Sequence, residues 1–138
     1  MTTPSGITAL QAARGQWNDG NLDGYLRLYH PDVVLHGYAG VGPGFDNVKA
    51  FYAAFWSAFP ASKLIFEDVF ADQHDRVACR FVVKGEHKGQ FQGLPPSGGR
   101  FELPGITILR FDGDRCLERW SQANFLSLLQ QLGALPTA

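Results

Sequence analysis

The sequence predicts one α+β domain spanning residues 1–138, in which a cone-shaped, curved antiparallel sheet packs on three N-terminal helices. Three helical patterns fall within the first 60 residues, and four long strand-like runs follow them. This segregation of helices from antiparallel strands is typical of the α+β class. Because a sheet of this length must twist and curl, the aromatic third helix is expected to fill its concave side. The arrangement favours an apolar pocket between helices and sheet.

The first two helices follow from apolar spacing and from helix-breaking residues. Ser5 is placed to cap a helix that starts near Ile7, and its apolar stripe ends at Trp17. A short second helix carries Tyr25 and is expected to stop before Pro31, because the residue before a proline avoids helical geometry.

A short strand and a third helix come next. The β-branched run "DVVLHGY" predicts a strand that holds His36, and the glycine-rich "GVGPG" predicts a loop. Asp46 or Asn47 can cap the third helix, predicted around residues 46–59, whose aromatic face includes Phe55. Pro60 is expected to end it.

The second half of the chain predicts an antiparallel meander. The strand-like runs are "KLIFEDVFAD", "RVACRFVVKGEHKGQF", "RFELPGITILRF" and "RCLERWSQANF". "DQHD" and "DGD" are turn signals between pairs of them. "GLPPSGG" predicts a longer surface loop near the pocket mouth. "LSLLQQLG" predicts a short final helix that ends at Gly133.

Composition excludes several classes of function. The net charge of −1 and the scattered basic residues argue against a nucleic-acid or anionic-membrane surface. The N-terminus lacks the features of a signal peptide, and no apolar run approaches about 20 residues. Cys79 and Cys116 show no CxxC spacing and are expected to be free, buried thiols. We therefore expect a soluble, cytoplasmic protein that binds a small apolar molecule and contacts neither nucleic acid nor membrane.

Sequence motifs for cofactors and metals are missing. There is no phosphate-binding glycine loop, no HExxH and no GxSxG elbow, and the four histidines lack close spacing. The sequence therefore predicts no cofactor and no metal. His30 at a helix end and His74 in a turn are expected to have structural or solvated roles. His36 and His87 lie in predicted strands and are the candidates for acid–base chemistry.

His87 shares its predicted strand face with small or apolar neighbours that include Cys79 and Phe81, so that face is expected to point inward. A histidine at the end of such a face can be a satisfied structural group or a pocket acid–base group. The residues alone leave these two interpretations open.

The segment "RWSQANF" is the second candidate for polar chemistry. Strand alternation places two sets of side chains on opposite faces: Trp120, Gln122 and Asn124 on one, Arg119, Ser121 and Ala123 on the other. We expect the face with the tryptophan and the two amides to line the pocket. A one-residue slip in register would reverse both sets.

The run "GEHKGQFQGLPPSGGR" resembles the SnoaL-like polyketide cyclases of the nuclear-transport-factor-two-like superfamily. Their pattern is G-x-H-x-G-x-F-x-G-x-P-P-S/T-G, matched by Gly85, His87, Gly89, Phe91, Gly93, Pro95, Pro96, Ser97 and Gly98. Further similar stretches are "LYHPDVVLHG", "GITILRFDGDRCLERW" and the terminal "LLQQLG". The resemblance covers nearly the whole chain in the right order.

This resemblance implies a cystatin-like cone with a deep pocket, a homodimer or higher homo-oligomer, and cofactor-free ring closure by intramolecular aldol condensation. It also implies a general acid–base aspartate in the pattern W-x-x-x-D, a position that Asn124 occupies in this sequence. An amide cannot take up a proton at neutral pH, although it can donate and accept hydrogen bonds. The proton step would then fall to His87 or His36.

The leading hypothesis is a cofactor-independent enzyme that performs aldol-type cyclisation or related acid–base chemistry on an apolar carbonyl substrate. In it, His87, Asn124 and His36 are the catalytic candidates. The residues expected to bind substrate are Trp17, Tyr25, Phe55, Trp120 and Gln122. The alternatives are a non-catalytic ligand-binding module on the same fold, or a related isomerase, dehydratase, hydroxylase or epoxide hydrolase, because fold alone does not fix chemistry.

Overall fold

A computed structural model describes residues 4–134 of the chain. Within these residues it has four helices and five strands: α1 (Ser5–Asn18), α2 (Leu22–Leu26), β1 (Tyr29–His36), α3 (Phe45–Ala58), β2 (Lys63–Ala71), β3 (Arg76–Glu86), β4 (Arg100–Asp112), β5 (Arg115–Ala123) and α4 (Phe125–Gln131). The α+β class and the predicted element order are confirmed.

The five strands form one curved, unclosed sheet in the order β1-β5-β4-β3-β2. Strands β2 to β5 pair antiparallel in sequence order, as the turn signals predict. Strand β1 joins the edge of the sheet beside β5 and runs parallel to it. Both β1 and the meander therefore contribute to one concave face.

The aromatic residues of α3 and its C-terminal end pack into the core of this sheet. The rings of Phe55 and Phe59 lie 4.8 Å apart, and the ring of Phe59 lies 4.6 Å from that of Phe101 on β4. Both side chains are buried. The expectation that the third helix fills the sheet is confirmed.

The helix caps differ from those expected. Helix α1 has no side-chain cap, and Ser5 instead donates a hydrogen bond to the carbonyl of Gly113 at 3.2 Å. Helix α3 likewise has no side-chain cap and follows Gly44. Neither Asp46 nor Asn47 caps it, because both lie within its first turn. Ser5 holds the start of α1 to the hairpin between β4 and β5, and the start of α3 is held to β1 because Gly44 N–H donates to the carbonyl of Val33 at 2.8 Å. Local sequence does not show either contact.

The boundary between α2 and β1 also differs from the prediction. Helix α2 ends at Leu26, and Tyr29 already begins β1. His30 and Pro31 therefore lie in a strand and not at a helix end. The strand tolerates Pro31 because β1 is at the edge of the sheet, where a missing backbone donor costs little.

The turns behave as their residues predict. Gly113 has φ +63° in the hairpin between β4 and β5, and Gly133 has φ +77° just after α4. The loop after β3 lies at the surface, with Pro95 and Pro96 exposed, while Phe91 turns inward against Phe59 at 4.9 Å between ring centroids.

Cys79 on β3 and Cys116 on β5 are free and buried, and β4 lies between their strands. Burial raises the pKa of each thiol to about 11. Both thiols are therefore protonated at neutral pH.

No helix among residues 4–134 is long and apolar enough to cross a bilayer.

We predict that Gly37→Ala lowers the free energy of unfolding by about 1–3 kcal/mol, because Gly37 has φ +86° and an added Cβ would meet the carbonyl oxygen of Ser121. Gly15→Ala is the matched control, since nothing lies near Gly15 in helix α1. That variant should gain about 0.5–1 kcal/mol. Urea denaturation of both variants and wild type measures the difference, and equal stability of Gly37→Ala and wild type would contradict the prediction.

Candidate functional site

A cavity lies between the N-terminal helices and the concave face of the sheet. Its lining is mostly aromatic and aliphatic: Leu10, Ala13, Arg14, Trp17, Tyr25, Gly37, Tyr38, Phe51, Tyr52, Phe55, Leu64, Phe66, Cys79, Phe81, Val83, Leu103, Arg119, Ser121, Ala123 and Phe125. The centre of a water molecule can occupy about 60 Å³ of it. Since one water needs on the order of 10–15 Å³ by this measure, the cavity has room for several waters or a small ligand.

The polar group at the inner wall of the cavity is the guanidinium of Arg119, which is 8% exposed. Its Nε donates to Thr107 Oγ1 at 2.9 Å. Its Nη1 donates to the hydroxyls of Tyr29 at 2.6 Å, Tyr25 at 3.3 Å and Tyr52 at 3.4 Å. The charge is thus held by neutral hydroxyl groups from α2, β1, α3 and β4.

The hydroxyl groups also bind one another. Tyr29 hydrogen-bonds Tyr25 and Tyr52 at 2.8 Å each, and Tyr38 contacts Tyr52 at 3.3 Å. Tyr38 also bonds Ser121 at 3.0 Å. We call this group, Arg119 with Tyr25, Tyr29, Tyr38, Tyr52, Thr107 and Ser121, the Arg–Tyr cluster. It contains all four tyrosines of the chain.

Burial raises the pKa of all four tyrosines above the ordinary value of 10.0, and it is the largest cause at each. The charge of Arg119 lowers each pKa but does not overcome burial. The phenols are therefore neutral hydrogen-bond donors at physiological pH. The guanidinium itself stays protonated, because its pKa lies beyond the range in which proteins titrate it.

Among residues 4–134, no carboxylate and no histidine lines the cavity. Glu118, which precedes Arg119, points to the outer face and pairs with His36 at 2.7 Å and Arg110 at 3.1 Å. The second cationic lining residue, Arg14, lies over the ring of Phe66 at 5.2 Å. The cavity therefore carries positive charge without a protein anion to balance it.

The structure places Trp17, Tyr25 and Phe55 in the lining of the cavity, where the sequence expected substrate-binding residues. Trp17 also donates through its indole nitrogen to Ser62 at 3.2 Å, and its ring lies 5.7 Å from that of Phe55. These three aromatic side chains give the site its rigid apolar walls.

The prediction of which face of β5 lines the cavity is wrong. Arg119 and Ser121 point inward, whereas Trp120, Gln122 and Asn124 lie on the outer face or at the strand end. Trp120 packs outside against the ring of His36 at 5.3 Å. Neither Trp120 nor Gln122 lines the cavity, so neither can contact a ligand bound in it in this structure.

A β-bulge at Leu117 explains the reversal. The hairpin begins with Asp112 opposite Arg115, and continuing that register would place Trp120 opposite the inward-facing Thr107. The register shifts after Phe111, so that Ser121 faces Thr107 instead. One inserted residue thus turns every later side chain of β5 to the other face.

Asn124 caps helix α4, and its side-chain oxygen accepts a hydrogen bond from the backbone N–H of Ser127 at 3.0 Å. The side chain is exposed and does not line the cavity, although its neighbours Ala123 and Phe125 do. In this structure, the position that the resemblance assigns to an acid–base group has a structural partner.

The two histidine candidates also lie outside the cavity lining. His87 is 1% exposed, and its Nδ1 accepts from the backbone N–H of Ser97 at 3.2 Å. His36 is exposed on the outer face. Through Nδ1, His87 binds the loop after β3, while its Nε2 is buried and has no hydrogen-bond partner among residues 4–134.

Sequence reasoning missed the Arg–Tyr cluster. Thr107 and Ser121 are polar residues in strands whose other inward-facing residues are mostly apolar, and they could have indicated a polar site. Recognising that both face inward requires the correct hairpin register. Among residues 4–134, no three His, Cys, Asp or Glu side chains lie close enough to hold a metal ion.

The fold and site together define an α+β domain with an internal, mostly apolar cavity. The chain belongs to the SnoaL-like polyketide cyclase family, whose model matches residues 7–132. Its structural neighbours place it in the nuclear-transport-factor-two-like superfamily.

Two solved structures of other proteins are similar to this chain in fold and moderately similar in sequence. AclR of Streptomyces galilaeus, a proposed hydroxylase, is 28% identical with a TM-score of 0.83, and the match covers 96% of this chain and 83% of AclR. IdmH of Streptomyces antibioticus, a proposed polyketide cyclase, is 27% identical with a TM-score of 0.74, covering 92% of this chain and 97% of IdmH.

A pathogen-related protein of Hordeum vulgare is 32% identical over 91 residues, which are 62% of this chain. The match covers 39% of that relative, so the chain corresponds to well under half of its length.

We predict that stability falls at alkaline pH. Above pH 9 the unfolded chain loses thiol protons that the folded protein keeps, and above pH 10 it also loses phenol protons. Because the folded state then binds more protons, its stability decreases as pH rises. Tyr52→Phe should make the decline above pH 10 shallower by up to about 1.4 kcal/mol per pH unit.

Urea denaturation at several pH values, with tyrosinate absorbance recorded on the same samples, measures this effect. Phenol ionisation should coincide with unfolding. Tyrosinate absorbance at the ordinary pKa in a protein that is still folded would contradict the buried, neutral state of the Arg–Tyr cluster.

We also predict that Asn124→Ala lowers the free energy of unfolding by about 1 kcal/mol, because it removes the cap of α4. Asn124→Asp is the matched variant and should keep most of the stability, since aspartate caps as well as asparagine. Denaturation curves of the three proteins check this. A loss of equal size in both variants would show that the side-chain oxygen is not the stabilising group.

Proposed function

We propose that the chain is a cofactor-independent enzyme that cyclises a small apolar carbonyl compound, or performs related chemistry through an enolate, in the cavity described above. Membership of the cyclase family and similarity to IdmH support a cyclase-like enzyme. The observation that carries the proposal is the buried guanidinium of Arg119 beside neutral phenols at the wall of an apolar cavity.

The Arg–Tyr cluster would act on the carbonyl oxygen of the substrate. An aldol cyclisation develops negative charge on oxygen twice, first in the enolate and then in the alkoxide that forms with the new carbon–carbon bond. Preorganised donors in a site shielded from water stabilise such charge strongly, and one donor is typically worth about 10²–10³-fold in rate. Arg119 is already oriented by its bonds to Tyr29 and Thr107.

The proton step in this proposal does not use a carboxylate. No lining residue is an acid or a histidine, so the carbon that forms the enolate must be acidic by itself, as between two carbonyl groups. Stabilisation of the enolate by a nearby cation favours loss of that proton to water. The alkoxide formed later would regain a proton from water or from a phenol of the cluster, which water then restores.

In this proposal His87 and Asn124 have structural roles, and His36, exposed on the outer face, takes no part in the chemistry. His87 orders the loop after β3, and Asn124 begins α4, which follows the lining residue Ala123. A cytoplasmic location and a homo-oligomer stay predictions. Exposed apolar side chains on the sheet, including Ile106 and Ile108 on β4, would suit a contact with a second copy.

A non-catalytic binding module is the second candidate function. It is favoured by one specific observation, the lack of a general base among the lining residues. In that case the same cavity and the same Arg–Tyr cluster would bind the ligand without converting it.

The test compares turnover of a panel of small linear and cyclic 1,3-dicarbonyl compounds by wild type, Arg119→Met and Arg80→Met. Arg80 is the matched control, because it lies on the outer face and pairs with Asp68. We expect Arg119→Met to lose about 10²–10³-fold in kcat/KM and Arg80→Met to be unchanged. Binding without turnover by wild type would favour the binding module, and equal turnover by both variants would refute the role of Arg119.

A further inference from the structure

The lining of the cavity carries charge of one sign only, with cations and no anion among residues 4–134. Two guanidinium groups, of Arg14 and Arg119, line it, and no lining residue carries negative charge. Within residues 4–134, neither arginine forms an ion pair. A buried cation without an anion is costly, because desolvation is not repaid by Coulomb attraction.

One nitrogen of Arg119 remains unused. Nε and Nη1 donate to Thr107 and to the tyrosines, whereas Nη2 makes no hydrogen bond to any residue from 4 to 134. Nη2 is also not sealed in protein, since the only fully buried unpartnered side-chain atom in that range is Nε2 of His87. Because Arg119 lines the cavity, Nη2 is available to a bound molecule.

We propose that the cavity binds its ligand as an oxygen-centred organic anion, the enolate or phenolate form of a small ring compound, with the charged oxygen at Nη2 of Arg119. This inference rests on the proposed function only in taking the same cavity as the ligand site. It adds that the cation selects acidic enols and phenols over neutral ketones of the same shape.

The geometry also favours a single charged oxygen over a carboxylate. Carboxylates bind arginine best through two parallel N–H···O bonds. On the Nε side that pairing is blocked because Nε is bound to Thr107, and on the other side Nη1 is bound to Tyr29 at 2.6 Å. A carboxylate would have to displace one of these partners, whereas one enolate or phenolate oxygen needs only Nη2.

Within the described part of the chain, Arg14 and Arg119 are the only lining residues that would present a charge to such a ligand at neutral pH. The other titratable lining groups are Tyr25, Tyr38, Tyr52 and Cys79, and burial keeps all four protonated. Tyr29 and Cys116, which also lie near Arg119, are protonated for the same reason. The bound ligand would lose its O–H proton to water, and its negative charge would be balanced by Arg119.

The test uses 4-nitrophenol, whose anion has a distinct absorbance, with nitrobenzene as a neutral analogue and 4-nitrobenzoate as a carboxylate analogue. An opposite charge within about 4–6 Å lowers a pKa by about 1–3 units. We therefore expect the pKa of 4-nitrophenol bound to wild type to fall by about that amount. At neutral pH the phenol should bind at least about tenfold more tightly than nitrobenzene and more tightly than the benzoate.

Three variants test whether Arg119 causes the change in the pKa of the bound phenol. Arg119→Met should abolish the shift in the bound phenol's pKa, Arg119→Lys should keep its direction, and the outer-face control Arg80→Met should match wild type. If Arg119→Met does not fold, the titration of wild type still decides, because an unchanged or raised pKa of the bound phenol overturns the proposal. Tighter binding of 4-nitrobenzoate than of 4-nitrophenol overturns the preference for a single charged oxygen.

These outcomes separate the inference from the proposed function. Anion-selective binding without turnover of any dicarbonyl compound would refute the enzyme and leave the inference intact. Turnover without preference for the phenolate would refute the inference alone.

Discussion

The burial of Arg119 is the constraint on which the rest of the structure depends. A guanidinium inside a protein costs several kcal/mol unless its donors are satisfied, and here the partners come from four different elements. Helix α2 supplies Tyr25, strand β1 supplies Tyr29, helix α3 supplies Tyr52, and strand β4 supplies Thr107. These elements must therefore be in place together, so the same interaction that fixes the helices against the sheet also shapes the polar wall of the cavity.

The function that the site supports follows from what the cluster lacks as much as from what it contains. Burial keeps the phenols neutral, so they donate hydrogen bonds and cannot serve as bases at physiological pH. A cavity with donors, a cation and no carboxylate is suited to stabilise negative charge on a ligand. In the proposed function such a site would stabilise an enolate without a side chain that removes the proton, whereas the family pattern implies an aspartate that does so.

The segment that best reveals the family is not the segment that forms the cavity. The motif around His87 builds a closed loop, in which Ser97 binds the imidazole and Phe91 packs on Phe59. These contacts order the end of β3 and the connection to β4. The motif around His87 therefore shapes the fold, whereas Arg119, Thr107 and Tyr29 of the site lie in the other family-like stretches, "GITILRFDGDRCLERW" and "LYHPDVVLHG".

The sequence by itself determined the α+β class, the order of the elements, the aromatic helix that fills the sheet, and the apolar walls formed by Trp17, Tyr25 and Phe55. These features follow from hydrophobic periodicity and turn residues, which are local. Only the tertiary structure decided which face of β5 lines the cavity. The bulge at Leu117 shifts the hairpin register by one residue, and it is stable because the inward Arg119 finds hydroxyl groups from residues far away in the chain. Local alternation cannot reveal such partners, since a period of two is equally consistent with either face.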